Sequence, residues 1–95
     1  MKGYIVCVYK EINDENNLKN YAIEAKKAVE KYEGKFLIRG GKKITTEGEN
    51  FVRTVVIEFD TFNKAEKFFY SNEYQEAHKI LNKTIIRHHQ IIEGA

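Results

Sequence analysis

Four short runs of apolar residues have the composition of β-strands. Residues 4–10 are rich in β-branched and aromatic side chains and are apolar at both alternating positions, which is typical of a central strand covered on both faces. Residues 35–40 and 51–59 predict two further strands, and turn-forming residues 47–50 indicate a long hairpin between them. Residues 88–93 predict the fourth strand of one sheet.

Between the first two strands the apolar residues recur at helical spacing. Asn13 or Asp14 can cap the N-terminus of this helix, and the apolar stripe that follows is opposed by a stripe of lysines and glutamates. Gly34 is expected to end the helix in a left-handed conformation. The pattern predicts an amphipathic helix that lies against a sheet.

Two shorter helices are predicted between the third and fourth strands. Asp60 or Thr61 can cap the first, and a break at residues 71–72 starts the second, whose apolar face continues to Ile85. The elements therefore follow the order β-α-β-β-α-β, with a helix pair in the second helical place. This order predicts an α+β, ferredoxin-like protomer whose antiparallel four-stranded sheet carries its helices on one face.

The other face of this sheet is also apolar in sequence. On the third strand one set of alternating positions contains Val55 and Ile57 and the other contains Val52 and Val56, and the first strand is apolar at both sets. An exposed apolar face of several hundred Å² is unusual on a monomer. We therefore expect a homodimer formed through the sheet faces about a two-fold axis.

Length and composition predict one small globular domain, residues 1–95, with a thin core. The 13% aromatic content argues against disorder. The net charge of +2 arises from 16 basic and 14 acidic residues interspersed along the chain, so we expect no nucleic-acid partner. The third strand also fits the motif of an RNA-recognition domain only at its terminal aromatic, Phe59, so RNA binding is not expected.

The single cysteine and the lack of a signal sequence indicate the cellular compartment. Cys7 cannot form an intramolecular disulfide and lies in an apolar run, so it is interpreted as a small buried side chain in a reducing environment. No signal sequence and no apolar run of membrane-spanning length is found, so no membrane association is expected. The sequence predicts a cytoplasmic protein.

Arg39 and Glu58 are the most informative candidates for chemistry, because each is an ionisable residue in an otherwise apolar strand. If the hairpin turns so that Thr46 faces Phe51, Arg39 lies directly opposite Glu58 on one face. A bulge at Gly40-Gly41 would shift the pairing by one residue and separate them. Three interpretations stay open: a structural ion pair, a site in which Arg39 binds a carboxylate or enolate while Glu58 acts as base, or no contact at all.

Tyrosines and a histidine could complete such a pocket. Tyr21 lies on the inner stripe of the first helix, Tyr70 and Tyr74 flank the break between the later helices, and His78 borders an apolar face. These four are candidate substrate-binding residues, although packing in the core is the alternative interpretation for each. Neighbouring His88 and His89 point to opposite faces of a strand, so no metal site is expected.

Several motifs resemble one known family. They are residues 32–41 (YEGKFLIRGG), 47–48 (EG), 55–59 (VVIEF), 69–75 (FYSNEYQ) and 93–94 (EG). Together they resemble the bacterial domain of unknown function numbered 1330, within the dimeric α+β barrel superfamily. The chain differs at Glu33, where a second glycine is common, at Asp60, where a proline is usual, and at Leu81, where an arginine is usual.

The resemblance implies a ferredoxin-like protomer, a homodimer with sheets packed face to face, and no established reaction. Superfamily members include cofactor-independent oxygenases, isomerases and haem proteins. By analogy we expect a pocket for an unknown small molecule, with cofactor-independent acid–base chemistry on a small organic acid and no bound cofactor. The alternative is a non-catalytic ligand-binding or structural dimeric module, so the sequence leaves open whether the protein is an enzyme.

Overall fold

The computed structural model describes all 95 residues and contains four strands and three helices. The strands are β1 (Gly3–Ile12), β2 (Lys35–Arg39), β3 (Arg53–Phe59) and β4 (Ile85–Glu93), and the helices are α1 (Glu15–Lys31), α2 (Phe62–Phe69) and α3 (Asn72–Lys79). The strands form one antiparallel sheet in the order β2-β3-β1-β4. The predicted α+β, ferredoxin-like fold is confirmed. None of the helices is long and apolar enough to cross a membrane.

Short polar side chains begin each helix. Asp14 accepts a hydrogen bond from the Asn17 backbone amide at 2.9 Å at the start of α1. Thr61, rather than Asp60, caps α2, and Ser71 caps α3. Because each cap satisfies an amide that has no partner within its helix, these residues fix where the helices start. The predicted break between α2 and α3 is therefore correct.

The boundary between α3 and β4 differs from the prediction. α3 ends at Lys79, and β4 begins at Ile85 rather than at residue 88. Asn82 and Lys83 take left-handed backbone conformations, with φ of 47° and 59°, which end the helix. Leu81 is still buried, so its apolar character comes from a turn rather than from a longer helix.

The end of α1 also differs in detail. Glu33, not Gly34, adopts the left-handed conformation, with φ of 62°. Gly34 is required for a different reason, because a Cβ at this position would lie 2.7 Å from the ring of Phe59. The expectation of a left-handed Gly34 is therefore wrong by one residue.

The helices cover one face of the sheet unevenly. α2 packs closely against β1, β3 and β4, and a Cβ at Gly3 would lie only 2.5 Å from the Phe62 backbone. α1 packs chiefly against α3 and stands further from the strands. A space is therefore left between α1 and the sheet, above the buried residues Ile5, Cys7 and Tyr9 of β1.

The other face, which we call the open face, has no covering element. Its centre consists of Val6, Val8 and Val56, which are half-buried, and its margins include Ile38 and Ile92, each 46% exposed. Residues 40–52 form a loop rather than the predicted continuous hairpin, and part of this loop borders Val8 on the open face. The open face therefore has an apolar centre, with polar residues such as Glu58 beside it.

Candidate functional site

The space between α1 and the sheet is a pocket whose floor is set by strand register. Tyr9 of β1 pairs with Arg53 of β3 on one side and with Arg87 of β4 on the other. The next inward-facing row on these strands places Cys7 between Val55 and His89. Because paired residues on neighbouring strands share a face, all these side chains point toward the helices. The floor therefore has an Arg-Tyr-Arg row across three strands.

Every arginine of the chain lies at this pocket. The sequence contains three arginines, and Arg39, Arg53 and Arg87 all line this pocket. No acidic residue lines it, and every ion pair of the protein is made by a lysine. All 13 lysines are exposed and none lines the pocket. The pocket thus has three guanidinium charges without a carboxylate to balance them.

Arg87 is held by three tyrosine hydroxyls. Its Nη1 donates to the Tyr9 hydroxyl at 2.8 Å and to the Tyr21 hydroxyl at 3.3 Å, and its Nη2 donates to the Tyr74 hydroxyl at 3.0 Å. The Tyr21 and Tyr74 hydroxyls lie 2.9 Å apart and share a hydrogen bond. Each tyrosine is less than a tenth exposed, so these contacts are shielded from water.

Counting hydrogens shows that this cluster has more donors than acceptors. A phenol supplies one hydrogen and a guanidinium supplies five. One hydroxyl of the Tyr21–Tyr74 pair donates to the other, which leaves the second hydroxyl hydrogen free. The Tyr9 hydroxyl accepts from Arg87 and lies beside the Cys7 thiol, which is a weak acceptor. The cluster therefore lacks a charged acceptor group, and an oxyanion would supply it.

Burial and the Arg87 charge set the protonation states in the pocket. Burial raises the pKa of the Tyr9 and Tyr74 hydroxyls, and Arg87 opposes this only in part, so both stay protonated. Burial, together with the Arg87 charge, lowers the pKa of His89 to about 3, which leaves a neutral imidazole at physiological pH. Burial also raises the pKa of the Cys7 thiol. The pocket therefore offers protonated hydroxyls beside one neutral imidazole.

Arg53 and Arg39 form a second cationic group at the side of β2 and β3. The Arg53 guanidinium carbon lies 6.0 Å from the centre of the Tyr9 ring, and its side chain packs against Gly40, where a Cβ would lie 2.6 Å from Nη1. The Arg53 Nε is buried and has no hydrogen-bond partner. Arg39 stacks on Phe36 at 4.5 Å and makes one long hydrogen bond, 3.4 Å, to the Ala22 carbonyl.

The pocket is narrow in this conformation. The empty space is about 510 Å³ when the open mouth is included. The centre of a water-sized sphere can occupy only about 40 Å³ of it, which is room for a few water molecules. Among the lining residues Arg39 alone is exposed, so the mouth lies beside it, between α1 and β2. A ligand larger than a few atoms must displace the Arg39 side chain or move α1.

The predicted pairing of Arg39 with Glu58 is wrong. β2 and β3 pair with Lys35 opposite Glu58 and Arg39 opposite Val55, and the register shifts between Phe36 and Ile38. Arg39 therefore faces the helices, whereas Glu58 lies on the open face, where it accepts a hydrogen bond from the Tyr4 hydroxyl at 3.2 Å. An irregularity in β2 and a loop in place of the tight hairpin cause the difference.

The four other candidate residues divide into two groups. Tyr21 and Tyr74 line the pocket and contact Arg87. Tyr70 is 70% exposed and lies on the outer surface near Glu66, away from the pocket. His78 is also exposed, and it borders a separate open depression that reaches Arg87 and His89 from the side of β4.

Sequence reasoning missed Tyr9, Arg53, Arg87 and His89 as parts of one pocket. Arg53 belongs to the same set of alternating positions as buried Val55 and Ile57. This alternation could have predicted that its side chain faces the helices. Arg87 fell outside the predicted fourth strand, so its position beside Tyr9 could not be anticipated. No group of three or more His, Cys, Asp or Glu side chains lies close enough to hold a metal ion.

Solved structures with this architecture come from several bacteria. A protein of unknown function from Rhodopseudomonas palustris matches with a TM-score of 0.76 and 11% identity, covering 99% of this chain and 82% of its own. A dimeric protein of unknown function with a ferredoxin-like fold from Bacteroides fragilis matches with a TM-score of 0.59 and 20% identity, covering 98% and 96%. A proposed antibiotic biosynthesis monooxygenase from Caulobacter crescentus matches with a TM-score of 0.64 and 9% identity, covering 99% and 89%.

These identities are low, so the likeness to solved structures concerns the fold alone. No protein of curated function matches the sequence. A family model does match, over residues 2–95, and its description is "Domain of unknown function (DUF1330)". Because this match covers nearly the whole chain, the protein belongs to the DUF1330 family.

Proposed function

We propose that the protein is a homodimer in which each protomer binds a small organic anion between α1 and the sheet and performs cofactor-independent acid–base chemistry on it. The observation that carries the proposal is Arg87, a half-buried guanidinium surrounded by three tyrosine hydroxyls and no carboxylate. A charge taken out of water without a counterion is costly, and a ligand oxyanion would supply both the charge and the missing acceptor.

The dimer is proposed from the open face. Val6, Val8 and Val56 at its centre and Ile38 and Ile92 at its margins give a broad apolar surface without a cover. A second copy packed about a two-fold axis would bury this surface on both protomers. The Bacteroides fragilis relative, described as a dimer with a ferredoxin-like fold, supports this arrangement.

Light scattering coupled to size-exclusion chromatography tests the dimer. The wild type should elute with twice the 11.1 kDa of one chain. Val6→Lys places a charge at the centre of the open face and should give a folded monomer, whereas Ile23→Lys, at an exposed position on α1, should leave the dimer intact. A wild type that is monomeric at micromolar concentration contradicts the dimer.

Ligand binding is tested with pairs of molecules that differ in charge alone. Benzoate and propionate should raise the melting temperature, whereas benzamide and propionamide, which have the same shapes without the charge, should not. Arg87→Met should abolish the response. Lys42→Met removes the same charge from the exposed loop and should retain it. Equal responses to acids and amides would rule out an anion site.

His89 is the proposed base. It lines the pocket as a neutral imidazole, and the Arg87 charge is the second cause of its low pKa, after burial. A bound anion that neutralises Arg87 removes this cause, so the imidazole becomes a better base once the ligand is present. It then accepts a proton from the carbon next to the ligand carbonyl, while Arg87 and a tyrosine hydroxyl stabilise the enolate oxygen.

Deuterium exchange tests this chemistry without knowledge of the natural substrate. In D₂O the protein should accelerate exchange of the C3 protons of 2-oxobutyrate, followed by NMR, and His89→Gln should remove the acceleration. His88→Gln, on the opposite face of β4, is the matched control. Binding without exchange would favour a non-catalytic ligand-binding module.

A further inference from the structure

The pocket has two separate cationic positions on opposite sides of one tyrosine ring. The Arg87 guanidinium carbon lies 5.3 Å from the centre of the Tyr9 ring, and that of Arg53 lies 6.0 Å from the same centre. Tyr9 pairs with Arg53 on β3 and with Arg87 on β4, so the two arginines approach it from different strands. The sum of the two distances limits the separation of the guanidinium carbons to 11.3 Å.

The second position has the properties of a binding group rather than of a structural ion pair. Arg53 makes no side-chain hydrogen bond within the protein, and its buried Nε has no partner at all. Arg39, from the next row of the sheet, has one long hydrogen bond and no ion pair. Lysines form ion pairs with carboxylates elsewhere on the surface. No acidic residue lines the pocket beside these two arginines, and neither arginine forms an ion pair with Glu30, which borders the outer depression on the other side of Arg39.

We propose that the ligand is an organic dianion with an acidic group at each end, one bound by Arg87 and the tyrosine hydroxyls and the other by Arg53 and Arg39. This inference rests on the proposed function, because it assigns the first group to Arg87. A planar guanidinium binds a carboxylate through two parallel hydrogen bonds, so each position suits a carboxylate or an enolate oxygen. A short-chain dicarboxylate, or a keto acid with a second carboxylate, has this chemistry.

The narrow interior must widen for this arrangement. The first acidic group occupies the inner space beside Tyr9, and the carbon chain occupies the room made when the Arg39 side chain or α1 moves. The second group stays at the mouth, where Arg39 is exposed. Gly40 contributes by leaving room for Arg53, since its φ of 73° is readily adopted by glycine and a Cβ would collide with the guanidinium. The ligand is therefore bound across the pocket, from Arg87 to the mouth.

Calorimetric titration with succinate, glutarate and their monomethyl esters tests the inference. Each ester keeps the chain and one carboxylate but loses the second charge. A dicarboxylate should bind at least about tenfold more tightly than its ester, the effect expected from one charge-assisted contact of about 1.5 kcal/mol. Arg53→Met should lower the affinity for the dicarboxylate to that for the ester, and it should leave the affinity for the ester unchanged. Lys42→Met should change neither.

The outcomes separate the two proposals. If neither the acids nor the esters bind the wild type, the proposed anion site fails. If both bind equally, or if Arg53→Met weakens both equally, the second position is wrong while the Arg87 site stands. Arg39→Gln, at an exposed position, should reduce the dicarboxylate preference in the same direction, so the test does not require Arg53→Met to fold.

Discussion

Replacement of Tyr74 by phenylalanine tests the hydrogen-bonded cluster around Arg87. Tyr74 is 1% exposed, and its hydroxyl contacts Tyr21 at 2.9 Å and Arg87 at 3.0 Å. Phenylalanine keeps the ring but removes one neutral hydrogen bond of about 1 kcal/mol and one charge-assisted hydrogen bond of about 1.5–3 kcal/mol. Because the two losses add, we expect Tyr74→Phe to lower the free energy of unfolding by about 2.5–4 kcal/mol.

Tyr21→Phe provides the comparison. Its hydroxyl shares the same bond with Tyr74 but lies 3.3 Å from Arg87, so the expected loss is smaller, about 1–2 kcal/mol. Because the shared bond can be lost only once, the double variant should lose about 1 kcal/mol less than the two single losses combined. Urea unfolding at one fixed protein concentration measures all three values. A change below about 0.5 kcal/mol for Tyr74→Phe, or strict additivity, would refute the cluster.

Three further predictions concern protonation, reactivity and backbone strain. The His89 imidazole should remain neutral down to about pH 4 because its pKa is lowered to about 3, and an NMR resonance titrating near 6.5 that disappears in His89→Gln would contradict this. Cys7 is buried and its pKa is raised, so a thiol reagent should modify it no faster than the protein unfolds; stoichiometric labelling of the folded protein within seconds would show an accessible thiol. Glu33→Gly relieves a left-handed backbone conformation and should raise the stability by about 0.5–1 kcal/mol, measured by thermal unfolding, whereas Glu33→Ala should not.

Short runs of β-branched and aromatic residues were sufficient to predict the strands, and helical spacing between them was sufficient to predict the helices. β1 and β3 are rich in apolar residues at both sets of alternating positions because they are the central strands, and the helix caps at Asp14 and Ser71 marked where helices start. Glu33 stands at a position where the resemblance to the family predicts glycine. Its left-handed backbone gives the physical reason for that preference.

The candidate site was harder to predict because it depends on register and on one boundary. The pairing of Arg39 followed from an assumed regular hairpin, and one irregularity between Phe36 and Ile38 was enough to place Arg39 and Glu58 on opposite faces. Arg87 was missed because the apolar spacing of Leu81 and Ile85 continues a helical pattern. No glycine or proline in the sequence indicates the left-handed turn that interrupts this helical pattern.

The separation of arginines from lysines has a consequence for chemical modification. Every lysine is exposed and none lines the pocket, whereas all three arginines do. Reductive methylation or acetylation of the lysines would therefore alter the solubility and crystal packing of the protein without touching the groups around Tyr9. An arginine-directed dicarbonyl such as phenylglyoxal would react first at the exposed Arg39 and block the mouth. A lysine reagent and an arginine reagent therefore modify the outer surface and the pocket separately.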